Sequence, residues 1–143
     1  MAEAKEAPDS AGAEAPANAT GLEGRRAVVA ITDLMIGSKV RETLKQLGME
    51  ATFAGSSASV DAALLAPADL LLVDVSDPRL EPLEIIRKAK ERKVPTLACG
   101  SHVDAATLEA GRQAGADRVV PRSLFAAQLP ELIRGLLRPR GGA

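Results

Sequence analysis

The sequence predicts a doubly wound α/β domain with a five-stranded parallel sheet. Two observations carry that prediction. From Arg25 onward, short apolar runs alternate with segments of helical spacing, and such alternation places helices on both faces of a parallel sheet. The central run "DLLLVD" shows no alternation of apolar and polar residues, as a strand covered on both faces requires.

The elements follow in order. "AVVAI" (Ala27 to Ile31) is a buried strand by content. "SKVRETLKQLG" then places Val40, Leu44 and Leu47 at helical spacing, with Ser38 as N-cap and Gly48 as the stop. "MEATFAG" is a short strand, and "SASVDAALLA" a short helix ending at Pro67. After the third strand, "LEIIRKAKERK" forms a helix with Leu83 and Ile86 inward and basic residues outward. "VPTLACG" is the fourth strand, "DAATLEAGRQAG" a helix capped by Asp104, and "DRVVP" the fifth strand. "LPELIRGLL" closes the fold as a helix whose Pro130 marks its first turn or kinks it.

Composition narrows the function. Hydrophobic residues make up 46% of the 143-residue chain and aromatics only 1%, so the core is aliphatic and stacking on nucleic-acid bases has no side chains to use. A net charge of −1 provides no field that would gather nucleic acid or an anionic membrane. The basic stretch Arg87, Lys88, Lys90, Arg92 and Lys93, with Arg25, Arg26, Arg138 and Arg140, lacks aromatic interleaving and reads as solvated surface. The lone cysteine, Cys99, sits in an apolar strand as a small hydrophobe, and His102 has no partner at metal-site spacing. No apolar run has the length of a membrane helix, and the start "MAEAKEAPDS" is no secretory signal, so a cytoplasmic location is expected. Residues 1–24 are rich in Ala, Pro and Glu and are expected to be a disordered tail. The domain then spans residues 25–138, and residues 139–143 form a short flexible end. No glycine-rich phosphate loop, nucleophile elbow or His–Glu metal motif is present, and the chain is expected not to be an enzyme.

The stretch "LLLVDVSDP" (Leu70 to Pro78) places Asp74 where an apolar strand ends. An unpaired charge inside the run would cost several kcal/mol, so Asp74 belongs at the mouth of the sheet. In open sheets of this kind the functional crevice lies beyond the carboxyl ends of the strands. Asp33, Asp74 and the pair Gly100 and Ser101 fall at three such ends.

"LLLVDVSDP", "VPTLACGS" and "AGADRVVPRS", in that order and spacing, resemble the receiver domain of bacterial response regulators, over residues 25 to 137. The resemblance implies the flavodoxin-like (CheY-like) fold with strand order 2-1-3-4-5. It implies that Asp74 holds the phospho-acceptor position and that Pro78 is the proline of the following loop. It also implies an acidic pair at the end of the first strand that helps hold Mg²⁺, a Thr or Ser ending the fourth strand, and a Lys ending the fifth. This chain has Ile31 and Thr32 at the acidic pair, with Asp33 one step late, Gly100 then Ser101 at the hydroxyl position, Arg122 for the Lys, and Val119 for the aromatic switch residue. Isoleucine offers Mg²⁺ no oxygen ligand, and Arg brings a planar fork where the site expects a compact ammonium. Asp33 and Asp74 are the only metal ligands such a site would retain.

The reading that follows is a stand-alone receiver-like signalling protein, a pseudo-receiver in which Arg122 pairs with Asp74 or another crevice carboxylate and sets the site without phosphate. It would act through other signalling proteins, a homodimer included, with a partner face at Arg112, Arg118, Val119 and Phe125 and no cofactor. The alternatives are a phosphorylatable regulator that takes a phosphoryl group on Asp74 from a histidine kinase with Mg²⁺, helped by Asp33 and Ser101, and a small-ligand module using the same crevice.

Overall fold

The computed structural model describes residues 21–137. Strands and helices alternate throughout: β1 (Arg26–Ala30), α1 (Leu34–Leu47), β2 (Glu50–Phe53), α2 (Ser57–Leu64), β3 (Leu70–Asp74), α3 (Pro82–Glu91), β4 (Thr96–Gly100), α4 (Ala105–Ala114), β5 (Arg118–Pro121) and α5 (Arg122–Leu136). A single 3₁₀ turn, Pro78–Leu80, separates β3 from α3. The strands form one parallel sheet in the order β2-β1-β3-β4-β5, as the sequence predicts.

Strands β1, β3, β4 and β5 supply alternate side chains to two cores. Val29, Leu72, Leu97, Cys99 and Val120 face Val40, Leu44, Phe125, Leu129 and Ile133 of α1 and α5. Val28, Leu71, Val73 and Ala98 face Val60, Leu64, Ile85, Ile86 and Ala89 of α2 and α3, with Leu108 of α4 at the edge. All five residues of β3 are buried, Asp74 included, as expected of a central strand roofed on both sides.

Four local expectations need correction. Helix α1 begins a turn before Ser38, because Asp33 caps it by accepting the Ile36 N–H at 2.9 Å. In α3 the inward residues are Pro82, Ile85, Ile86 and Ala89, while Leu83 is only half-buried. Helix α5 begins at Arg122, and Pro130 lies inside it beyond a break in helical geometry at Gln128. The missing Pro130 N–H and the ring's clash with the preceding turn account for a break there. Finally Leu22, within the predicted tail, is 1% exposed and belongs to the α1/α5 core. Residues 1–20 of that predicted tail, and the C-terminal end with Arg138 and Arg140, lie outside the described residues. Gly48, with φ of 77°, ends α1 in the left-handed region that glycine enters without steric penalty, and Asp104 caps α4 by accepting the Thr107 N–H, both as expected.

Candidate functional site

The register brings three loops together at the carboxyl edge. Asp74 pairs level with Cys99, and Cys99 with Val120, so Arg122 stands just above the same row. A cleft of about 410 Å³ opens there, lined by Thr32, Asp33, Asp74, Ser76, Asp77, Pro78, Arg79 and Arg122.

Asp74 is 2% exposed and both carboxylate oxygens are engaged. Oδ1 accepts the Ser76 backbone N–H at 2.9 Å, and Oδ2 accepts Arg122 Nη2 at 2.8 Å. A buried carboxylate without partners would be costly, and the guanidinium supplies both hydrogen bond and counter-charge. Asp74 in turn raises the affinity of Arg122 for its proton, so Arg122 stays charged at every physiological pH. Arg122 is the first residue of α5, which fixes its Cα at the end of β5 and leaves its side chain 36% exposed over the cleft.

A second buried carboxylate, Asp77, lies three residues on. Its Oδ2 accepts Thr32 Oγ1 at 2.6 Å and Arg79 Nη2 at 3.2 Å, while its Oδ1 accepts both the backbone N–H and Nε of Arg79 at 3.1 Å. The Arg79 hydrogen bonds first, and then the Thr32 hydroxyl, hold the Asp77 carboxyl below the ordinary aspartate range. The first-strand position therefore contributes a hydroxyl, not a carboxylate. Ile31, at the neighbouring position, is 6% exposed and belongs to the core.

Asp33 reaches the cleft rim, is exposed, and is engaged as the cap of α1. Among the described residues no group of three His, Cys, Asp or Glu side chains is placed to hold a metal ion. Mg²⁺ requires near-octahedral oxygen ligation, and the two buried carboxylates here already carry guanidinium partners. The residues present do not fit a magnesium site.

Gly100 and Ser101 both reach the site region, but neither puts a hydroxyl against Asp74 among the hydrogen bonds of the cleft. A Cβ at Gly100 would stand 2.8 Å from Val75 Cγ2 and 2.9 Å from Ser76 Oγ, so that position accepts no side chain without movement. The sequence reading missed Ser76, Asp77 and Arg79. Their only sequence signal was the polar turn after Asp74.

The proposed partner residues separate. Arg112 and Arg118 are exposed, Arg112 pairing with Glu109 on α4. Val119 is half-buried against the α2/α3 core. Phe125 is 0% exposed and is one of the largest side chains of the core, so it is no surface contact: its place on α5 faces the sheet. His102 is exposed, and Cys99 is buried, its thiol proton held more tightly than usual by burial. Arg87 and Lys88 pair with Glu84 and Asp61, which makes the basic helix face partly self-neutralised.

No protein-family profile and no curated protein sequence matches the chain. Solved structures do. The receiver domain of the TMAO respiratory system response regulator TorR superposes with a TM-score of 0.71 at 21% identity, over 78% of this chain and 95% of that one. A response regulator from Hahella chejuensis gives 0.71 at 18% identity, over 82% and 98%. The receiver domain of sensor histidine kinase PA1611 from Pseudomonas aeruginosa, whose active-site cleft holds a magnesium ion, gives 0.68 at 19% identity, over 79% and 97%. Among the described residues no helix is long and apolar enough to cross a membrane. By strand order, by helix placement and by these superpositions, the chain has the receiver-domain fold of response regulators.

Proposed function

We propose that this protein is a receiver-like signalling module whose acceptor position is held in one state by its own arginine, and that it acts by binding partner proteins without catalysing a reaction. The observation that carries the reading is the Arg122 Nη2 to Asp74 Oδ2 hydrogen bond of 2.8 Å on a carboxylate 2% exposed. Phosphoryl transfer to a carboxylate depends on a free attacking oxygen and on cations that neutralise the phosphoryl oxygens. Here one oxygen of Asp74 is paired and the other is bonded to the Ser76 amide. The two positive charges of the cleft, Arg79 and Arg122, are spent on Asp77 and Asp74. The exposed Arg112 and Arg118 are the proposed contacts for a partner protein, with Val119 at the edge of that face.

The test is direct. Incubation with Mg²⁺ and a small acyl phosphate, followed by intact-mass measurement, is expected to leave the mass unchanged. A gain of about 80 Da, one phosphoryl group, that Asp74→Ala abolishes would establish instead a phosphorylatable regulator open to a histidine kinase.

A further inference from the structure

We infer that Ser76 is a positioning residue: its hydroxyl fills the space a side chain on the last residue of β4 would need, and it ties the loop entering α4 to the Asp74 carboxylate. In what it says of signalling, the inference rests on the reading above of a fixed site. Its geometry does not.

Gly100 ends β4 without a left-handed backbone, so nothing in its φ demands glycine. Space does. A Cβ there would lie 2.8 Å from Val75 Cγ2, 2.9 Å from Leu108 Cδ2 and 2.9 Å from Ser76 Oγ. The Val75 methyl, the tip of Leu108 from α4 and the Ser76 hydroxyl thus converge on the one point of the strand that lacks a side chain. The polar member of that trio belongs to the loop after β3.

From there hydrogen bonds lead in both directions, joined through the covalent frames of Ser76, Ser101 and Asp104. The Ser76 N–H donates to Asp74 Oδ1 at 2.9 Å, and the Ser101 N–H donates to Ser76 Oγ at 3.0 Å. The Ser101 carbonyl accepts the Asp104 N–H at 3.0 Å, and Asp104 Oδ1 caps the first turn of α4 through the Thr107 N–H at 3.3 Å. The carboxylate that Arg122 holds is therefore connected, through one hydroxyl, to the start of α4. Half-buried as it is, that hydroxyl competes with less water than an exposed one, so its hydrogen bond counts for more.

Amide hydrogen exchange of the full chain, without any phosphoryl donor, tests this. In the unsubstituted protein the Ser101 amide is expected to exchange about tenfold more slowly than that of His102, whose N–H has no partner among the described residues. Ser76→Ala is expected to speed Ser101 exchange about fivefold and to speed Asp104 exchange with it, while Leu97 in β4 is unchanged. Gly100→Ala, which leaves the hydroxyl on the chain but takes its space, is expected to do the same. Combining the two substitutions should give less than the product of their separate effects, because Ser76→Ala vacates the volume the new methyl needs. Equal exchange of Ser101 and His102 in the unsubstituted chain, or a Ser76→Ala chain with unchanged Ser101 exchange, overturns the inference. Because no phosphoryl donor is present, phosphorylation of Asp74 in the mass experiment would defeat the proposed function and leave this result standing.

Discussion

Thr32 Oγ1 lies 2.6 Å from Asp77 Oδ2, joining the loop after β1 to the loop after β3 across 45 residues of sequence. Together with Arg79, this hydroxyl holds the Asp77 carboxyl below its ordinary value of 3.8. A carboxylate depressed in the folded state stabilises the fold at any pH above its unfolded value, and that stability is lost as pH falls through the lower folded value. Thr32→Val should therefore lower stability by about 1 kcal/mol at neutral pH, and the difference from the unsubstituted chain should shrink below about pH 4. Urea unfolding at pH 7 and pH 3 reads both. A difference that does not change with pH would mean that the hydroxyl acts by packing alone.

The Asp74 and Arg122 pair is asymmetric, with side-chain exposures of 3% and 36%. Losing Arg122 strands a buried charge, whereas losing Asp74 leaves a guanidinium that water can reach. Arg122→Ala is expected to destabilise by about 2 kcal/mol. In a double-mutant cycle with Asp74→Ala the coupling should be about 1–2 kcal/mol. Additive effects would show that the contact has no net worth.

Magnesium binding should follow the arginines. Titration of the unsubstituted chain with millimolar Mg²⁺ is expected to leave the amide resonances of Asp74, Ser76 and Asp77 in place. A chain carrying Arg79→Ala and Arg122→Ala, with two carboxylates freed of their counter-charges, should show Mg²⁺-dependent shifts at those amides. Shifts of equal size in both chains would contradict the account of the cleft given above.

Cys99 is fully buried in β4, and burial raises its thiol pKa. Since the thiolate is the reactive form, a thiol reagent should label Cys99 only as fast as the domain unfolds. Labelling of the native protein within minutes at pH 8 would argue for local opening of β4.

Phe125→Ala should cost about 3–5 kcal/mol, as expected for a fully buried aromatic side chain. Arg112→Ala and Arg118→Ala, at exposed positions, should change stability by less than about 0.5 kcal/mol. A partner that binds this face would be lost with the two arginines while the thermal transition stays in place.

The strands and the carboxylate at the end of β3 were legible because each is written in contiguous residues, whereas the strand order came from the resemblance to receiver domains. An unbroken apolar run needs burial on two faces, and the run stops at Asp74. That Arg122 pairs with a carboxylate of the crevice was legible from charge, once the resemblance had placed it at the end of the fifth strand; that the carboxylate is Asp74 is set by the strand register. Asp77 and Arg79 were not, because their chemistry depends on Thr32, which no local pattern connects to them. Ser38 looked like the start of α1 because Leu34 and Met35, which are 88% and 84% exposed, show no inward pattern, yet the cap of that helix is Asp33. The first half of α5 was hidden by Pro130, which could be read as a first turn or as a kink; the helix in fact begins at Arg122 and kinks at Gln128 before Pro130.

Leu22 stands before the first strand and outside every regular element, yet it is 1% exposed among the side chains of α1 and α5. Close by, the Gly24 N–H donates to the Gly48 carbonyl at 2.9 Å, and a Cβ at Gly48 would press on Glu23. The amino edge of the sheet is thus stoppered by a residue that strand assignment alone would discard. Trimming the chain to begin at Arg25 would leave a leucine-sized hole at the floor of the molecule and remove about 3 kcal/mol of stability, whereas a chain beginning at residue 20 would keep the stopper in place.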